Sequence, residues 1–220
     1  MNIGNVGKLE ENVVQNPVRW PNGSQFGVCL THDVDRVEKS YQYITKSPRS
    51  QFFSSLAAYL SKTDEPYWQF EKIMDIENGY NLKSTFFFLN ESLRFNPFSR
   101  KNWPLTLGRY DIQSKKVRDI IIKLDNGGWE IGLHGSIRSY NDRNLLYREK
   151  KIIEEILGHE IIGTRQHWLN LHIPQTWKLH QSLGLKYDCS FGLKYGIGYK
   201  EGIFHPFSPL KDDFLIFPLV

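Results

Sequence analysis

Thr31-His32-Asp33-Val34-Asp35 follows directly on an apolar run, Phe26-Gly27-Val28-Cys29-Leu30. A strand through this run delivers two carboxylates to its C-terminal end. Successive side chains on a strand alternate faces, so Asp33 and Asp35 point the same way. Two like charges side by side raise each other's cost of ionising, and such a pair calls for a cation, a proton or an arginine. A second segment, Glu130-Ile131-Gly132-Leu133-His134-Gly135-Ser136, brings a histidine to a similar strand end. Together they suggest a metal site with a free carboxylate beside it. The bland alternative for paired aspartates at a strand end is a cap-and-turn arrangement.

The elements that must position these residues alternate strand and helix. Residues 1–25 read as an irregular arm closed by the turn signal Trp20-Pro21-Asn22-Gly23, and 26–220 as one domain. The pattern predicts a first strand over 27–34 and a helix over 48–60, with Ser47 as cap and Pro48 at its first position. It predicts a second helix over 66–78, a strand over 83–89, and a surface loop from Asn90 to Tyr110. Val117, Ile120, Ile121 and Leu124 recur at helical spacing. A strand over 129–133 follows. A long helix over 141–157 is capped by Asn141 or Asp142 and closed by Gly158. The rest reads as a strand over 161–164, a helix over 174–183, a short strand over 187–190 and an apolar segment over 214–220. This alternation gives the α/β class with a mostly parallel sheet. The chemistry-bearing residues fall just after strands, where the active sites of α/β barrels form.

A chain of 220 residues can bury one sizeable core. Its hydrophobic content of 40% and charged content of 24% are those of an ordinary globular protein. The net charge of +4 is scattered, with no basic block, so composition does not support nucleic-acid binding. Aromatic residues reach 14%, including six Trp and eleven Tyr, which suits sugar stacking as well as core packing. The two cysteines, Cys29 and Cys189, show no zinc-finger spacing. The polar stretch from Met1 to Gln15 has no apolar signal core, and no run approaches the ~20 residues of a membrane span. The expectation is a soluble, cytoplasmic protein.

Four segments, in this order, resemble the polysaccharide deacetylase family (carbohydrate esterase family four, NodB-like), in its branch with Thr-His-Asp-Val-Asp. They are Cys29 to Asp35, Gly132 to Ser136, Gly163-Thr164-Arg165-Gln166-His167-Trp168, and Tyr187-Asp188-Cys189-Ser190-Phe191-Gly192. The resemblance implies a distorted (β/α) barrel of about seven strands and a zinc-dependent N-deacetylase acting on a carbohydrate. It implies that Asp33 is the general base, that Asp35 and His134 hold the metal, and that Arg165 keeps Asp33 ionised and oriented. It places at Trp168 an aromatic whose backbone N–H helps stabilise the oxyanion, and whose ring can line a sugar groove. Ser136 and Ser139 join Trp168 as expected substrate contacts. Zinc accepts carboxylate and imidazole ligands and leaves a position open in catalytic sites, although such a site also accepts cobalt, nickel or iron.

Three departures from the family pattern matter. Val34 separates the aspartates that are usually adjacent. Arg138 stands where a second metal-binding histidine is usual, next to Ser139. His167 is the best substitute as third ligand, since it shares strand parity with Arg165, and His32 is second, with parity opposite to both aspartates. The family normally continues past the last apolar segment to a late histidine that protonates the leaving amine. This chain stops at Val220, which makes an incomplete barrel one expectation, and His205 is a weak candidate for the acid. Two further readings stay open: a degenerate relative that binds glycan or scaffolds a complex, and a hydrolase of cyclic or small amides.

Overall fold

The structure, a computed structural model, describes residues 20–39, 53, 67–210 and 213–220. Among the described residues six strands form one sheet, all parallel: β1 Thr31–Val34, β2 Thr85–Leu89, β3 Glu130–Gly135, β4 Gly163–Gln166, β5 Tyr187–Asp188 and β6 Leu215–Ile216. The helices are α1 Phe70–Gly79, α2 Trp103–Thr106, α3 Lys115–Asn126, α4 Arg143–Leu157 and α5 Gln175–Ser182. Strand order equals chain order. Each crossover therefore steps one strand further in the same direction, as in a (β/α) barrel and unlike a doubly wound sheet. Among the described residues β1 and β6 do not pair, so the sheet is an open, incomplete barrel with six strands where about seven were expected.

The two faces of the sheet have different chemistry. Phe86, Phe88, Ile131 and Leu133 are buried on the helix side with Phe70 and Met74 of α1, Val117, Ile120, Ile121 and Leu124 of α3, and Leu146, Ile153 and Ile156 of α4. Burial of each large side chain contributes about 1.5–3 kcal/mol. The opposite parity carries Asp33, Phe87, Gly132, His134 and Arg165. Gly132 has a steric reason: a Cβ there would lie 2.5 Å from the Phe87 ring. Phe87 in turn lies under Arg165, whose guanidinium carbon is 4.8 Å from the ring centroid.

Local signals account for most boundaries. Asp142 caps α4 by accepting from the Leu145 N–H at 3.0 Å, and Gly158 ends it in the left-handed conformation at φ 79°. The first strand is shorter than expected, because β2 begins only at Thr85, whose N–H donates to the Leu30 carbonyl. The preceding Phe26 and Val28 are exposed. The loop from Asn90 to Tyr110 contains the short α2, and two arginines organise it. Arg36 donates to the carbonyls of Leu107 and Pro104, and Arg109 to those of Leu105, Glu91 and Leu93. The helix expected over 48–60 and residues 1–19 of the expected arm lie outside the described residues. No helix among the described residues is long and apolar enough to cross a membrane.

Candidate metal centre and catalytic pair

Asp35, His134 and His167 converge at the C-terminal ends of β1, β3 and β4, with one potential ligand atom from each within 4.8 Å of the others. Asp35 Oδ1 is 3.2 Å from His134 Nε2 and 3.8 Å from His167 Nδ1. The two imidazoles stack with centroids 5.2 Å apart and planes 19° from parallel. Ligand bonds of about 2.0–2.2 Å in tetrahedral array put neighbouring donor atoms roughly 3.3–3.6 Å apart, so the observed separations suit a small divalent ion.

Two further features fit the cluster to a metal. His134 Nδ1 is 2.9 Å from the Arg165 carbonyl. A carbonyl only accepts, so Nδ1 carries the hydrogen and Nε2 faces the cluster, the arrangement usual behind a metal-ligating histidine. His167 Nδ1 is buried with no hydrogen-bond partner among the described residues, although it faces Asp35. A buried polar atom without a partner is costly, and a cation shared with Asp35 would satisfy it.

The electrostatics of the cluster follow from the same contacts. Burial works against a charged His134. The Asp35 hydrogen bond and the nearby Asp33 and Asp35 carboxylates outweigh it, raising the His134 pKa above the ordinary histidine value. Desolvation acts to raise the Asp35 pKa, but the hydrogen bond and charge of His134 bring it below the usual carboxylate value. His167 is pushed down by burial and then by His134. Metal binding at these residues would compete with protons for the same atoms.

Beside the cluster, Arg165 is buried and its donors are distributed. Nη1 donates to Asp33 Oδ1 at 2.7 Å, Nη2 to Thr31 Oγ1 at 2.8 Å, and Nε to the Cys189 carbonyl at 3.1 Å. Asp33 keeps 36% of its side chain exposed. It therefore combines a fixed Oδ1 with access to solvent. Asp188 secures the strand end behind Cys189 by accepting from the Ser190 N–H at 2.8 Å and the Ser190 hydroxyl at 2.7 Å.

The remaining expected site residues divide by exposure. Trp168 is 55% exposed, with its ring tilted against His167, and its backbone is left-handed at φ 59°. For a bulky residue that conformation is strained, and such strain clusters at functional sites. Ser136 and Ser139 are fully buried. The Ser136 N–H donates to Glu149 Oε2 at 3.1 Å, and the Ser139 hydroxyl donates to the Ser136 carbonyl and is 3.2 Å from Gln166 Oε1. They lie beneath the site and have no open surface from which to touch substrate. His32 faces the helix layer, 3.0 Å from Glu77 and stacked on Phe86, away from the cluster. His205 contacts Phe204 and the Pro206 carbonyl. Arg138 is exposed.

Three residues escaped the sequence reading. Thr31 shares Arg165 with Asp33. Glu91 accepts from the N–H groups of Leu93 and Ile137, joining the loops after β2 and β3. Tyr110 bridges β1 and β2. For Thr31 the signal was its parity with Asp33; Glu91 and Tyr110 lie in a loop whose periodicity is silent.

The fold is similar to that of a Mycobacterium smegmatis protein assigned as a polysaccharide deacetylase, at 19% identity and a TM-score of 0.59, over 93% of this chain and 62% of that one. It is also similar to PuuE allantoinase, at 14% identity and a TM-score of 0.52, over 94% of this chain and 66% of that one. The chain spans about two thirds or less of the length of either structure. No family model and no curated protein sequence matches it. The chain shares the fold of these two structures, the distorted (β/α) barrel expected from its four segments, open among the described residues.

Proposed function

We propose that the chain is a metal-dependent hydrolase that removes an acyl group, in the simplest case acetyl, from an N-acylated amino sugar or its glycan. The observation that carries this reading is the adjacency of two devices: the Asp35, His134, His167 cluster and the Asp33–Arg165 pair. Asp35, His134 and His167 would hold the ion, zinc in the first instance. When bound, such an ion supplies Lewis-acid chemistry, polarising a carbonyl and acidifying water.

The other steps fall to side chains. Asp33 is the general base: Arg165 occupies Oδ1, which leaves Oδ2 to take a proton from the attacking water. The backbone N–H of Trp168 is assigned to the developing oxyanion, and its exposed indole to a pyranose face. Protonated Asp33 can then return its proton to the departing amine, which dispenses with a separate histidine.

Metal analysis of wild type, Asp35→Ala and His134→Ala, followed by a screen of N-acetylated sugars, tests the reading. Near-stoichiometric zinc lost in both variants, with acetate release that needs Asp33, supports it. A wild-type chain that takes up no divalent ion removes it. The likeness to allantoinase supports a second reading, hydrolysis of a cyclic amide at the same residues. Ring-opening of hydantoin-type substrates without release of acetate would favour that one.

A further inference from the structure

Tyr110 stands where a rung of the sheet should be. In a parallel ladder, N–H to carbonyl bonds from one strand to its neighbour recur every two residues. The Thr85 N–H donates to the Leu30 carbonyl. The register Thr31 with Thr85 through Val34 with Phe88 therefore puts later rungs at Phe87 to His32 and Leu89 to Val34. At the last of these the Tyr110 hydroxyl intervenes, accepting from the Leu89 N–H at 2.8 Å and donating to the Val34 carbonyl at 2.8 Å. Its ring packs against the main core, and burial pushes its pKa well up, so the phenol stays neutral and can do both.

The residue that follows β1 is Asp35. We propose that Tyr110 is a positioning residue for the metal cluster: its hydroxyl wedges the ends of β1 and β2 apart and so turns Asp35 out of the sheet toward His134 and His167. The inference rests on the metal-site reading above for its purpose, but on backbone geometry for its substance. Without the wedge, the Leu89 N–H would close directly on the Val34 carbonyl and draw the start of the next residue back into the ladder. The alternative, two buried backbone groups left unpaired, is costly. Tyr110→Phe keeps the ring and removes only the hydroxyl.

The experiment uses the full chain. Zinc affinity is measured for wild type, Tyr110→Phe and the core variant Ile153→Val, alongside thermal melting. A metal-free crystal structure of Tyr110→Phe is solved in parallel. A zinc affinity about 10-fold or more weaker in Tyr110→Phe, unchanged in Ile153→Val, with Asp35 moved away from His134, is the expected result. An unaltered Asp35–His134 contact in Tyr110→Phe overturns the inference, as does zinc affinity within twofold of wild type. If wild type binds no zinc, the metal-site reading fails, and the wedge is then decided by the metal-free structure.

Discussion

Arg165 and Asp33, separated by 132 positions in the chain, meet at 2.7 Å, and Arg165 is nearly inaccessible while Asp33 is not. The pair therefore behaves as a buried cation whose counter-charge looks into the site. Asp33→Asn should lower turnover about 10²–10⁴-fold, the usual contribution of a general base, while leaving zinc uptake intact. The stability loss should be about 1–3 kcal/mol, between the limits for exposed and buried ion pairs. Arg165→Lys keeps the charge but cannot serve Asp33, Thr31 and the Cys189 carbonyl together. A loss confined to kcat, with KM little changed, is expected from steady-state kinetics.

Gly132 should tolerate no side chain. A Cβ would press on Phe87 at 2.5 Å and on the Gly163 carbonyl at 3.1 Å. Gly132→Ala is expected to cost about 1–3 kcal/mol, read from denaturant unfolding. It should also lower activity, because Phe87 supports Arg165. Full activity in this variant would separate the packing of the sheet interior from the placement of the base.

His167 and His32 are chemically alike and placed oppositely. His167→Ala should weaken zinc binding strongly in equilibrium dialysis, with a modest effect on melting in metal-free buffer. His32→Ala should leave zinc binding unchanged but lower the melting temperature, because Glu77 loses one of its donors. Equal zinc affinities for the two variants would contradict this division.

Glu149 sets a pH dependence. Burial, opposed by the hydrogen bond from the Ser136 N–H and reinforced by the charge of Glu91, raises its pKa from 4.5 to about 7. Between these values the folded protein holds a proton that the unfolded chain has lost, so stability falls as pH rises through this window. The loss is on the order of 3 kcal/mol and is complete above about pH 7. Glu149→Gln should flatten the profile, matching wild type near pH 5 and exceeding it at pH 8 in urea titrations.

Much of this was legible in the residues. The four segments named the fold, and strand parity placed Asp33 with Asp35 and His167 with Arg165. It also turned His32 toward the helices. The ends of α4 were marked by Asp142 and Gly158. Strand lengths were less legible, because an apolar run such as Phe26 to Leu30 pairs only where a neighbour exists. The burial of Ser136 and Ser139 was not legible, because proximity to His134 in sequence says nothing of which side of the strand end a hydroxyl occupies. Tyr110 and Glu91 act through backbone groups of distant strands, and no local pattern encodes such partners.

The Arg165 carbonyl that orients His134 belongs to the main chain, so every residue at position 165 would supply it. Under the proposed function, a substitution of Arg165 would silence the base without disturbing the ligand. A variant without the arginine would be expected to keep its metal, and metal content alone would be a poor guide to whether the site still turns over substrate.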